Sequence, residues 1–151
     1  MRVHIGTDHA AFDVKNAIVE ALTSRGYEVI DHGAEAYDSE DDYPTYIIPA
    51  AEAVVADPGS LGVILGGSGN GEVIAANKVR GVRAALIHSH DTAQLARKHN
   101  NANVASIGGR MHSKEQVIDL VLAFLTTEFT GAERHVRRLE LIRAYELTAA
   151  S

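Results

Sequence analysis

Residues 61–78, Leu61-Gly62-Val63-Ile64-Leu65-Gly66-Gly67-Ser68-Gly69-Asn70-Gly71-Glu72-Val73-Ile74-Ala75-Ala76-Asn77-Lys78, read LGVILGGSGNGEVIAANK. Leu61 to Leu65 has the apolar run of a buried strand, Gly66 to Gly71 is a glycine loop, and Glu72 to Lys78 predicts a short helix. Strand, glycine loop and helix start together place backbone N–H groups around an anion. This loop nevertheless ends in a carboxylate. Gly66 and Gly71 fit the G-x-x-x-x-G spacing of a P-loop, but Glu72-Val73 stand where that loop needs Lys and Ser or Thr, and Glu72 would repel a triphosphate. The dinucleotide fingerprint fails as well: from Gly67 and Gly69 its third glycine falls at residue 72, and the loop follows the third strand rather than the first.

On either side, strand-like and helical patterns alternate. Val3 to Thr7 reads as a strand, residues 10 to 25 as a helix stopped at Gly26, and Tyr27 to Asp31 as a second strand. An acidic loop, Gly33 to Asp42, leads to a helix around Tyr46 to Val55, whose start Pro44 and Pro49 blur. After the glycine loop, Arg83 to Ile87 and Val104 to Ile107 read as strands with a helix, Asp91 to His99, between them. Lys114 to Phe124 and Ala132 to Leu147 read as helices on either side of Gly131. Such alternation predicts an α/β fold with a mostly parallel sheet covered on both faces, whose ligands bind beyond the carboxyl ends of the strands. Those ends carry Thr7-Asp8-His9, Gly66 to Glu72 and Gly108-Gly109-Arg110.

The 151 residues, 46% of them apolar, suit a single domain, 1–151, with residues 131–151 as a C-terminal helix and tail. With 14 Lys and Arg against 20 Asp and Glu, the formal charge is −6, which leaves no broad basic footprint for nucleic acid. The absence of Cys excludes disulfides, thiolate metal sites and thiol nucleophiles. No segment approaches the ~18 apolar residues of a membrane span, and the expectation is a cytoplasmic protein.

Taken singly, the polar residues have ordinary structural readings. Glu72 complements a helix dipole, Asp8 caps a helix, and His99-Asn100-Asn101 suit a helix C-terminus. Arg134, Arg137 and Arg138 make a solvated charged face, with Arg134 and Arg138 four residues apart. Taken together they form a carboxylate base, an N–H nest for an oxyanion, histidines for proton transfer and guanidinium forks for a phosphate. Moving a proton between adjacent carbons of a sugar phosphate needs this set, without metal or redox cofactor. The competing reading is a non-catalytic binder of sugar phosphates or nucleotides.

Five ordered motifs, GTDHAAFDVK (6–15), GGSGNGEVIAANK (66–78), LARKHNNANV (95–104), IGGRMH (107–112) and ERHVRR (133–138), carry a further resemblance. Together they resemble the ribose-5-phosphate isomerase B family, which also includes galactose-6-phosphate isomerase subunits. The resemblance implies a Rossmann-like α/β/α sandwich with a five-stranded parallel sheet in order 2-1-3-5-4 and a C-terminal helical extension. It implies a homodimer with sites at the subunit interface, and dimers able to pair into tetramers. The implied reaction interconverts ribose 5-phosphate and ribulose 5-phosphate through an enediolate, with no cofactor and no metal. Allose or galactose 6-phosphate and tetrulose 4-phosphate are alternative substrates.

By matching motif, Glu72 is the base, Gly67, Gly69, Asn70 and Gly71 form the anion hole, and Ser68 and Asp8 orient sugar oxygens. His99 assists ring opening and Asn100 binds substrate. His9, Arg134 and Arg138 grip the phosphate, with Arg110 and Tyr43 lining the site. Many members carry a Cys base at the position of Gly66; this chain matches a subgroup similar to mycobacterial enzymes, which place Glu at 72 instead. An ordinary Glu is a weak base for a carbon acid, so apolar neighbours such as Val73 and Ile74 are expected to raise its pKa.

Overall fold

The five apolar segments become strands β1 (Arg2–Thr7), β2 (Glu28–Asp31), β3 (Leu61–Gly66), β4 (Ala84–Leu86) and β5 (Val104–Gly108). All pair in parallel, in the order β2-β1-β3-β5-β4 implied by the resemblance. The computed structural model describes residues 1–149; residues 150 and 151, the end of the expected C-terminal tail, lie outside the described residues. Helices α1 (Phe12–Ser24), α2 (Pro44–Ala56), α3 (Asn70–Ala76), α4 (His90–Asn100), α5 (Lys114–Thr126) and α6 (Glu133–Ala149) follow the strands or end the chain.

Strand residues alternate between two apolar layers, as a sheet buried on both faces requires. Val63, Leu65, Ala105 and Ile107 pack with Ile18 and Leu22 of α1, Ala93 of α4 and Val121 and Phe124 of α5. Ile64 and Val104 face the other way, onto Ile47, Ala51 and Val54 of α2 and Ala75 and Ala76 of α3. Because α1 and α2 leave on opposite faces while β1 and β3 are neighbours, a crevice opens between the carboxyl ends of β1 and β3.

Two helices start earlier than expected. α2 starts at Pro44, where a missing N–H costs nothing, and runs through Pro49 because Ile47, Ala50, Ala51 and Val54 anchor it to the sheet. α3 starts at Asn70, which moves Glu72 from the helix start into the middle of its first turn.

At the amino end of β1, His4 Nδ1 lies 2.9 Å from His32 Nε2, and His4 Nε2 lies 3.0 Å from Asp57 Oδ2. Burial and the neighbouring His4 hold the His32 pKa below its ordinary value. The neutral ring is therefore the folded form. Stability from this group is present above the ordinary histidine value of about 6.5 and is lost as pH falls through it toward the lowered folded value. Thermal midpoints measured at pH 7.5 and 5.5 are expected to drop less in His32→Gln than in the parent chain; equal drops would remove His32 from the account.

Candidate active site

The register of β1, β3 and β5 brings Thr7 level with Leu65 and Gly66 level with Gly108, so three loops leave the sheet side by side. They are tied together above it. Gly109 N–H donates to Gly66 O at 2.8 Å and Arg110 N–H to Gly67 O at 3.2 Å, while the buried Ser106 hydroxyl donates to Gly69 O at 2.8 Å. Gly69 takes a left-handed φ of 83°, which turns the chain into α3. The first-turn N–H groups of α3 have no intrahelical acceptor; Asn70 N–H donates to Ser68 Oγ at 3.3 Å, and such a glycine loop and helix start suit an anion. Tyr43, at the start of α2, lays its ring against Gly71, where a Cβ would come within 2.6 Å of Cζ.

Glu72 is 4% exposed. Burial raises its carboxyl pKa; its own backbone N–H opposes the shift and the nearby Asp8 carboxylate adds to it. The carboxylate lies over Gly66, in the space that a side chain at that position would occupy, 2.6 Å from Oε2 to an added Cβ. A side chain at residue 66 and Glu72 in this position therefore exclude each other. The expected help from Ile74 is corrected: that side chain is 60% exposed on the outer face of α3, and the seat over Gly66 buries the carboxylate instead.

On the β1 side, Asp8 accepts a hydrogen bond from Ala10 N–H at 3.0 Å and caps the 3₁₀ turn His9–Ala11. His9 Nδ1 is 2.6 Å from Asp41 Oδ1, and the His9 backbone N–H donates to that oxygen at 3.0 Å. The Asp41 bond, against some desolvation, raises the His9 pKa. Arg110 runs beside Gly67, its Nη1 3.6 Å from where a Cβ there would sit. His9, whose protonation Asp41 favours, and the Arg110 guanidinium beside Gly67 thus bring positive charge next to the glycine loop over which Glu72 is seated. Asp8, His9 and Asp41 have ligand atoms within 4.8 Å of one another, which is metal-ligand spacing. Nδ1 and Asp41 Oδ1 already satisfy each other, so the trio fits a hydrogen-bonded clamp better than a cation site.

The remaining candidates gather elsewhere. α4 runs back along the sheet, and its last turn lies at the amino ends of β4 and β5, where Arg83 Nε donates to Asn100 O at 3.2 Å. β5, from Val104 to Gly108, separates that end from the glycine loop by roughly 13 Å at a strand's rise per residue. His99 stacks on His135 of α6, ring centroids 4.4 Å apart and planes 19° from parallel. Burial lowers the His135 pKa, and Arg134, His99 and Arg138 lower it further. The structure therefore assembles Asp8, His9, Tyr43, Ser68, Gly67 to Gly71, Glu72 and Arg110, and sets His99, Asn100, Arg134 and Arg138 in a second cluster of the same chain.

Two residues of these clusters lay outside the sequence-derived set. Asp41 was one acid in an acidic loop, and only its fold-borne approach to His9 distinguishes it. His135 sat beside the arginines, with no spacing signal that it would be the buried residue of α6.

A family model described as Ribose/Galactose Isomerase matches residues 3–142. Ribose-5-phosphate isomerase B of Mycobacterium tuberculosis is 55% identical over 148 residues, covering 98% of this chain and 91% of the relative. Ribose-5-phosphate isomerase B of Mycoplasma genitalium, solved with bound ribulose-5-phosphate, superposes with a TM-score of 0.92 at 38% identity, over 96% of this chain and 95% of that one. The Clostridium thermocellum ribose-5-phosphate isomerase B structure gives a TM-score of 0.94 at 38% identity over 99% of both chains.

Proposed function

The chain belongs to the ribose/galactose isomerase family, and from that premise we propose that its crevice interconverts ribose 5-phosphate and ribulose 5-phosphate with Glu72 as the base. The observation that carries the reading is a buried carboxylate of raised pKa beside a glycine loop and helix start, with the Arg110 guanidinium against Gly67 and His9, whose protonation Asp41 favours, on the neighbouring β1 loop. In the open-chain aldose, Glu72 takes the proton from C2. The C–H electron pair forms the C1–C2 double bond, and the carbonyl pair moves onto O1. Amides of Gly67 to Gly71, with the α3 amino end, stabilise that oxyanion. Glu72 then returns its proton to C1 while the O2 proton passes to O1 and the carbonyl re-forms at C2. Ser68 and Asp8 orient hydroxyls, Tyr43 lines the sugar, and His9 and Arg110 hold the phosphate.

Ring opening and the rest of the phosphate grip fall to His99, Asn100, Arg134 and Arg138 of a second copy, in a homodimer with sites at the subunit interface. Their distance from Glu72 within one chain supports this. So does α6, whose sole buried side chain among the described residues is His135 and which exposes Val136, Leu141, Ile142, Tyr145 and Leu147. Beside it lies a groove of about 670 Å³ lined by Asn77, Arg80, Asn100, Ile142 and Tyr145. In this reading the chain forms one isomerase domain, α6 is an arm toward the partner, and the compartment is the cytoplasm. Among the described residues no helix is long and apolar enough to cross a membrane.

The test is solvent-proton exchange at C2 of ribose 5-phosphate in deuterated buffer, run beside allose 6-phosphate, galactose 6-phosphate and tetrulose 4-phosphate. The expected result is fastest incorporation into the pentose. Faster incorporation into another sugar would reassign the substrate, and binding of every sugar without exchange would leave a non-catalytic binder.

A further inference from the structure

The acidic loop Gly33 to Asp42 has no part in the chemistry above, yet it delivers a carboxylate to the phosphate end of the crevice. Asp41 has a side chain only 5% exposed. One of its oxygens accepts from both the ring and the backbone of His9, at 2.6 and 3.0 Å, although the two residues are 32 positions apart. The other oxygen, Oδ2, is buried with no partner at full hydrogen-bond distance and angle, and the Tyr46 phenol is the neighbouring donor that its charge acts on. Such a carboxylate is costly twice over: it is poorly solvated, and it repels the dianion the pocket is to receive. A neutral side chain would brace the loop at lower cost. What the charge adds is control of His9.

We propose that Asp41 is a positioning residue for substrate phosphate, fixing the His9 imidazole through Nδ1 so that Nε2–H is the donor presented to the phosphate oxygens. This rests on the reading of His9 as a phosphate ligand. Nε2 makes no hydrogen bond among the described residues, so it is the free end of the ring. The Asp41 bond favours the doubly protonated, cationic ring, which gives Nε2–H a charge-assisted bond to phosphate and offsets the Asp41 charge at short range. Other groups around the ring adjust this balance. Asp8 Oδ2 is 3.8 Å from Nδ1, and Arg110, from beyond β5, acts against protonation. The Tyr37 ring stands edge-on at 6.2 Å, and from α2 the Tyr46 phenol is kept neutral by burial and by Asp41, with Asp38 adding to the effect.

Asp41→Asn keeps the size and the acceptor but removes the charge. At pH 7.5 it is expected to raise both the KM for ribose 5-phosphate and the inhibition constant of inorganic phosphate about tenfold, with kcat changed less than about threefold. The His9 ring titration followed by NMR should move to lower pH, and the KM defect should shrink at pH 6, where the variant's imidazole protonates without help. Unchanged KM and phosphate inhibition, or a loss confined to kcat, would overturn the role. His9→Asn separates the two claims. If it too leaves phosphate inhibition unchanged, His9 is not a phosphate ligand and both readings fall; if it weakens phosphate while Asp41→Asn does not, only the Asp41 role falls.

Discussion

Glu72→Gln is expected to lower kcat on ribose 5-phosphate by about 10³-fold, within the range that general-base catalysis supplies, and to abolish C2 exchange while KM moves less than about threefold. The amide preserves the shape seated over Gly66 but cannot accept the carbon-bound proton. Unfolding would not explain such a loss. A carboxyl whose pKa is raised in the fold subtracts from stability once pH exceeds its ordinary value, so neutralising it leaves the thermal midpoint no lower at pH 7.5. The acid limb of kcat/KM in the parent enzyme should lie above the ordinary glutamate value of about 4.3 and disappear in the variant. Gly66→Ala keeps every reacting group in the chain but sets a methyl where the Glu72 carboxylate rests and so displaces it, and it should reproduce much of the loss. Near-parent turnover in Glu72→Gln would move the base elsewhere.

The second large effect concerns two chains. Glu72→Gln alone, and Arg134→Ala with Arg138→Ala alone, should each leave about 1% or less of the parent kcat/KM. Mixed by co-refolding or co-expression, they are expected to recover about a quarter of parent activity. In an isologous dimer half of the random pairs are mixed, and each mixed pair contains one site with both defects and one with neither. Activity that stays at the level of the separate variants after demonstrated subunit exchange would place the arginines and Glu72 in a single chain's site. That outcome would sink the shared-site dimer.

Much of the frame was legible from residue order. The short apolar runs at Val3 to Thr7 and Leu61 to Leu65 and the helical spacing through residues 10 to 25 report burial directly, because a strand covered on both faces needs apolar residues throughout and a helix needs them on one face. The motifs carried the family, the sheet order and the candidate residues. Boundaries were less legible: α2 begins at Pro44 and α3 at Asn70, ahead of the expected starts, because a proline suits a first helical turn and the left-handed turn at Gly69 directs the chain into α3.

The order of residues settled which chemistry is available: a Glu without a Cys, a glycine loop without a Lys, arginines on the last helix. It did not settle distance. Gly66 is six positions from Glu72 in sequence, and only the turn through Gly69 lays the carboxylate over it. Asp41 lies in an acidic loop far from His9, and only the fold brings it to 2.6 Å. His99 and Arg134 read as members of one site with Glu72 at a subunit interface, and only the fold shows that within a single chain α4 carries His99 to the opposite end of the sheet. Local periodicity is written residue by residue, but contacts between loops depend on strand register and helix direction, which the whole packed chain sets at once.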